Sequence, residues 1–228
     1  MNRRAVSGSQ RHAVERSGMR SFLRGMATRY DRLNASRPLI VKGSTCGVLL
    51  GGGDCLCQSI ERHAAAASGG VQPWDSQRLG RMIGWGGLFN GPLGHVFYEQ
   101  LDRVVSLGGA RGVALKIAID QLLFTPPLTF GFFAWQHLLS AAEPSAFGAA
   151  EFASNNLWPT LRINWVYWSL VHTITFACVP LQYRVAFVAL KNFFWGGYLS
   201  WAARSECAEE QHDDRLSRAQ RLARTYTH

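Results

Sequence analysis

The chain has 228 residues (25.3 kDa), 47% hydrophobic and only 17% charged, with a formal charge of +9 and a pI near 9.8. Soluble domains carry about 25% charged residues, yet the mean hydropathy is only −0.04, so charge and apolar content must be segregated along the chain. An aromatic content of 12% with eight Trp excludes disorder and a collagen-like repeat, no heptad supports a coiled coil, and the length suits one bundle of helices.

Nine arginines occupy the first 37 residues (Arg3, Arg4, Arg11, Arg16, Arg20, Arg24, Arg29, Arg32 and Arg37), opposed only by Glu15 and Asp31. Arg-rich, Ser-containing and acid-poor is the composition of a mitochondrial presequence, and no apolar stretch follows to make it a secretory signal. A basic arm touching anionic lipid is the plainer alternative. The chain therefore divides into a presequence-like arm (1–37), a helical membrane domain (38–203) and a charged soluble tail (204–228). That tail mixes both signs from Arg204 to Arg224, as a solvated segment does.

Four apolar blocks approach the roughly 20 residues that cross a hydrocarbon layer. Residues 38–57 are interrupted by Lys42 and Asp54. Residues 82–98 are free of formal charge but contain Asn90, Pro92 and His95. Residues 121–142 are uncharged and the clearest of the four. Residues 163–183 are also uncharged, and the run continues past Arg184 over 185–203, broken by Lys191. Pro180 makes that continuation a kinked hairpin, a re-entrant piece or a further helix. Buried helices of soluble domains rarely run so long without charge on any face. The expected fold is thus all-α: a polytopic transmembrane bundle of about four spans, the last Pro-kinked or split. Lys and Arg in the connections favour an even number of spans with both termini on one side.

Gly43, Gly47 and Gly51 recur every fourth residue, as do Gly80 with Gly84 and Gly87 with Gly91. Such stripes let helix backbones approach closely in lipid; Pro92, Pro159 and Pro180 mark kinks. Lys42-Gly43-Ser44-Thr45 lacks the order of a phosphate loop.

Ionisable and polar residues at membrane depth are costly and are candidates for function. They are Asp54, His95, Lys116, Asp120, Gln121, Asn164 and His172, with His137 a further one. Lys116 and Asp120 are four apart and can pair on one helix face. Turned inward, the set would line an aqueous path; tied to one another, it would only hold helices together. Arg78, Arg81 and Arg184 stand near block ends, where charges would guard a mouth. No catalytic motif or carboxylate pair occurs in the apolar region, so no enzyme is expected. Five scattered cysteines (Cys46, Cys55, Cys57, Cys178, Cys207) lack metal spacing and read as free thiols, so neither metal nor cofactor is expected.

A string of motifs carries a family resemblance: Leu157-Trp158-Pro159-Thr160, Asn164-Trp165, Trp168, Val179-Pro180-Leu181-Gln182-Tyr183-Arg184 and Trp195-Gly196-Gly197-Tyr198-Leu199-Ser200. Gly53-Asp54 with Gln58, then Asp75, Arg78, Arg81, Gly91-Pro92, His95, Tyr98, Lys116, Asp120-Gln121 and Pro126 precede it in the same order. Over roughly residues 30–201 the chain resembles the Mpv-seventeen and peroxisomal-membrane-protein-22 family of organelle membrane proteins. Ser169, His172, Thr175 and Gly196 depart from that pattern. The resemblance implies a four-span protein of the mitochondrial inner membrane or, alternatively, the peroxisomal membrane. It also implies a pore or channel for small solutes, with a non-conducting structural or assembly role as the rival. The implied partners are the lipid bilayer, small solutes and further copies of the chain; a nucleic-acid partner is disfavoured, because the positive charge is gathered in the amino-terminal arm.

Overall fold

A computed structural model describes residues 25, 28–30, 32–141, 143–178 and 190–204. Most of the arginine-rich arm, Pro180, Arg184 and the charged tail beyond residue 204 lie outside these residues, as do the side chains of His172 and Cys178. The described residues are helical with short connections. We number the helices α1 (Pro38–Ala67), α2 (Ser76–Trp85), α3 (Gly91–Val104), α4 (Gly109–Ile119), α5 (Thr125–Ser140), α6 (Ala146–Cys178) and α7 (190–204).

Local chemistry sets the boundaries. Pro38 opens α1, where a missing N–H costs nothing. Gly69, at φ 78°, closes it, with Gly69 N and Gly70 N donating back to Ala66 O and Ala65 O. Asp75 caps α2 by accepting from Arg78 N at 2.8 Å.

Two joints are not turns at all. Gly86–Asn90 joins α2 to α3, and Asp120–Phe124 joins α4 to α5, each as a π-helical segment. Each ends two residues before a proline, Pro92 in one case and Pro126, followed by Pro127, in the other. A proline inside a helix has no N–H and crowds the carbonyl four residues back; a wider turn immediately before it relieves that crowding. The result is two long rods, 76–104 and 109–140.

Four rods therefore run side by side: α1, α2–α3, α4–α5 and α6, with α7 returning along α1. Two stretches, Pro38–Ala67 and Gly109–Ser140, are long and apolar enough to cross a membrane. The second and fourth blocks read from the sequence differ from that simple picture. Block 82–98 is split between α2, its π segment and α3. Block 163–183 is the carboxyl half of α6 rather than a separate element. The connection 141–145 is so short that α6 folds straight back on α5. Asn164 then meets Gln121, Phe152 packs on Phe133, and Gly148 abuts His137. Residues 146–164, not the apolar run after them, lie alongside 121–140.

Glycine sets the distance between α1 and its neighbours. A Cβ at Gly91 would sit 2.6 Å from Gly43 Cα, and one at Gly86 2.7 Å from Cys46 C. Gly47 and Gly51 face Ile83, Gly84 faces Trp135, and Gly53 lies against Phe193 and Gly197 of α7. Leu50, Met82, Trp85, Phe132, Phe133, Phe152 and Leu199 fill the centre. Outside, Val48, Leu88, Leu93, Val96, Leu122, Leu123 and Val166 are exposed.

The described ends lie apart. Residue 43, near the start of α1, is beside Gly91, whereas Arg204 pairs with Glu61 near the other end of the same 30-residue helix. With α7 as one more ascending pass, these two described ends lie at opposite ends of the bundle; the termini for which loop charges favour one side lie outside the described residues.

Candidate functional site

Polar side chains gather in two clusters, the first buried inside the bundle and the second half-exposed at its edge. The first joins α1, α2 and α7. Asp54 (0% exposed) and Arg78 (4%) form an ion pair, Arg78 Nε lying 2.8 Å from Asp54 Oδ1. The same nitrogen donates to Ser200 Oγ at 2.7 Å, and the Ser200 hydroxyl donates to Asp54 Oδ1. Arg78 Nη1 donates to Glu61 Oε2 at 2.8 Å, and Nη2 to Glu61 Oε1 at 3.2 Å and Cys57 Sγ at 3.1 Å. Gln58 Nε2 donates to Asp54 Oδ2 at 2.8 Å and to Asp75 O at 2.9 Å, while its Oε1 accepts from Asp75 N.

The spacing explains this closure. Asp54, Gln58 and Glu61 recur at helical intervals on one face of α1, and Asp75 starts α2 so that Arg78 falls opposite them. Arg78, expected at a mouth, is buried as the hub of three elements. Asp54, expected along an aqueous path, has its oxygens taken by Arg78, Ser200 and Gln58. Arg81 keeps a part-exposed position, donating from Nε to Gln136 Oε1 at 3.1 Å. These groups lie near one end of the rods.

The second cluster lies at the Asp120–Phe124 π segment and joins α3, that segment and α6. Tyr98 Oη donates to Asp120 Oδ1 at 2.7 Å, Gln121 Nε2 to Asp120 Oδ2 at 2.7 Å, and Asn164 Nδ2 to Gln121 Oε1 at 2.7 Å. Trp165 Nε1 reaches Gln121 O at 3.3 Å. Lys116 does not pair with Asp120: its Nζ lies 2.7 Å from Asp102 Oδ1. The α4–π junction turns Asp120 toward Tyr98, and the 105–108 connection brings the end of α3 back within reach of Lys116. His95 stays on α3, 3.9 Å from Glu99 Oε2.

Along the continuous rod 76–104, Arg78 and Tyr98 are 20 residues apart, about 30 Å at the helical rise. That is about the thickness of a hydrocarbon core. The two clusters thus mark the two borders of an apolar belt.

Between them runs a seam that the sequence reading did not single out. Asn156 and Thr160 are buried on α6 one turn apart, continuing to Asn164. Their spacing of four was visible in the string, but Asn156 and Thr160 fell before the apolar block and so outside the span then drawn. Lys191 is also buried, over the Trp168 ring at 5.2 Å. Among the described residues, Asn34 Oδ1 alone is a buried side-chain polar atom without a partner, and no three His, Cys, Asp or Glu side chains converge as metal ligands would.

Apolar side chains outside, paired charges and amides inside, and rods of membrane-crossing length define an all-helical membrane protein. Sequence comparison places it more narrowly. Residues 147–200 match the Mpv17 / PMP22 family. The chain is 32% identical to Peroxisomal membrane protein 2 of Bos taurus over 184 residues, 81% of this chain and 92% of that protein. It is 33% identical to Protein SYM1 of Gibberella zeae, covering 80% of this chain and 98% of that one. It is also 31% identical to PXMP2/4 family protein 2 of Dictyostelium discoideum, covering 75% and 87% respectively. The chain belongs to the Mpv17 / PMP22 family of organelle membrane proteins. No solved structure matches it.

Proposed function

We propose that this protein is a pore or channel for small solutes, crossing its membrane with four rods and the further pass of α7, and serving mitochondrial homeostasis. The observation that carries the reading is the buried polar seam of Asn156, Thr160 and Asn164 along α6, which leads to the half-exposed Gln121, Asp120 and Tyr98 at the border. Polar residues turned inward are how a helical membrane protein lines a path for water and solutes. No catalytic role and no cofactor are proposed.

The rival is a non-conducting structural or assembly protein of the same membrane. One observation favours it: the described polar groups are largely partnered, and Phe132 and Phe133 close the centre of the bundle. Reconstitution of the full chain into planar bilayers separates the two readings. We expect a conductance whose ion selectivity shifts with Asp120→Asn; silence at every voltage overturns the pore, and unchanged selectivity removes Asp120 from it.

The organelle we propose is the mitochondrion, at its inner membrane, on the strength of the arginine-rich arm. The peroxisomal membrane is the alternative, favoured by the likeness to Peroxisomal membrane protein 2. Microscopy of the chain with and without residues 1–37 decides: loss of mitochondrial signal on truncation is expected, and peroxisomal signal from both forms overturns the assignment.

A further inference from the structure

The outer surface of the bundle is apolar at membrane depth on most sides, but one helix breaks the pattern. Residues 146–164 of α6 lie alongside the uncharged stretch 121–140, as the pairs Asn164–Gln121, Phe152–Phe133 and Gly148–His137 fix. Glu151 precedes Phe152 by one residue and therefore stands about 5 Å from the midpoint of that stretch. It is exposed, as are Ser154, Asn155, Trp158 and Arg162. Offsets of three, four, seven and eleven residues put all five on one face of the helix.

This face is turned away from the interior. Ser154 bonds only its own helix, donating to Ala150 O at 2.7 Å, and Arg162 lies over the Trp158 ring at 5.2 Å. Glu151 and Asn155 have no hydrogen-bond or ion-pair partner among the described residues. Glu151 and Arg162 cannot neutralise each other, being eleven residues or about 16 Å apart on one helix. At the level of Glu151, Val48 (72% exposed), and at that of Arg162, Leu123 (68%), show what a lipid-facing surface of this protein looks like.

Charged side chains at such depth face water or protein and not acyl chains. Water inside a single copy does not reach this face, because Phe132, Phe133, Met82 and Trp85 fill the centre at this level. We propose that the outward face of α6 is covered by further copies of this chain, arranged in a ring with the Glu151–Arg162 stripes around one water-filled axis. Closed cyclic symmetry is the ordinary form of such assemblies. With the axis normal to the membrane, each stripe residue becomes a ring, Glu151 near mid-depth and Arg162 toward the Asp120 border, as charged rings line other cation and anion paths. The proposal rests on the pore reading above and deepens it by adding a passage between bundles.

The test uses the full chain in vesicles with its five native cysteines replaced and single cysteines introduced. Asn155→Cys and Ser154→Cys report the stripe; Val48→Cys and Leu123→Cys report the apolar faces. Modification by a charged, membrane-impermeant thiosulfonate is expected at least tenfold faster at the two stripe positions. Single-molecule photobleaching of the same vesicles at low protein density is expected to show more than one step per spot. Stripe cysteines as slow as Val48→Cys would mean that α6 faces lipid and would overturn the proposal. Fast modification with one bleaching step would mean a groove wetted in the single copy and would equally overturn it. Fast modification and several steps without conductance would leave the ring standing and remove the pore function instead.

Discussion

At the scale of single residues, Arg78 has most depending on it. Its guanidinium makes contact with Asp54, Glu61, Cys57 and Ser200 at once, so its removal leaves a fully buried carboxylate uncompensated. Breaking a buried pair from one side costs about 3–5 kcal/mol. Arg78→Gln is expected to destabilise by that order in thermal unfolding in detergent, and Asp54→Asn combined with Arg78→Gln to recover a large part of the loss. The second cluster gives a sharper contrast. Exchanging Lys116 and Asp102 is expected to preserve their coupling in a double-mutant cycle, whereas exchanging Lys116 and Asp120 is not, because Asp120 faces Tyr98. Composition singled out each of these residues, since any charge in an apolar run is conspicuous. Their partners were not legible: Lys116 and Asp120 sit on one helix at pairing distance, and only the 105–108 connection, which no periodicity encodes, brings Asp102 closer.

Whole elements depend on how near two backbones can come. A Cβ at Gly91 would lie 2.6 Å from Gly43 Cα, whereas one at Gly80 would meet nothing within 4 Å. Gly91→Leu is therefore expected to separate α1 from α3 and lower the melting temperature in micelles. Gly80→Ala is expected to raise it, by up to about 1 kcal/mol of stability, through helix propensity alone. The glycine spacing was readable because a four-residue period needs no tertiary knowledge. The partner of α5 was not. An uncharged run at 163–183 looked like the next span, but the brevity of 141–145 forces α6 to pair from its first turn. The π segments were likewise hidden: proline predicts a disturbance, and whether a helix kinks, ends or widens there depends on its neighbours.

For the molecule as a whole, the described helices place the 68–75 connection and Arg204 at one end, and the 105–108 connection at the other. A maleimide-reactive cysteine placed after Arg204 is expected to be labelled from the same compartment as one in 68–75, and one in 105–108 from the opposite compartment. Labelling of all three from one side would overturn the arrangement. Counting basic residues in loops favours one side for the two termini, which lie outside the described residues; that rule weighs connections and does not by itself distinguish α7 as a separate ascending helix.

The ion pair between Asp54 and Arg78 also constrains how the chain enters its bilayer. A lone carboxylate at the middle of α1 resists partitioning by about 2.5–3.5 kcal/mol, and its counter-charge is made 24 residues later, at the head of the next rod. Delivered alone, α1 would bear that cost unrelieved. Delivered with the rod that follows, it carries its own neutralising partner, so the insertion unit of this protein is a helical hairpin rather than a single segment.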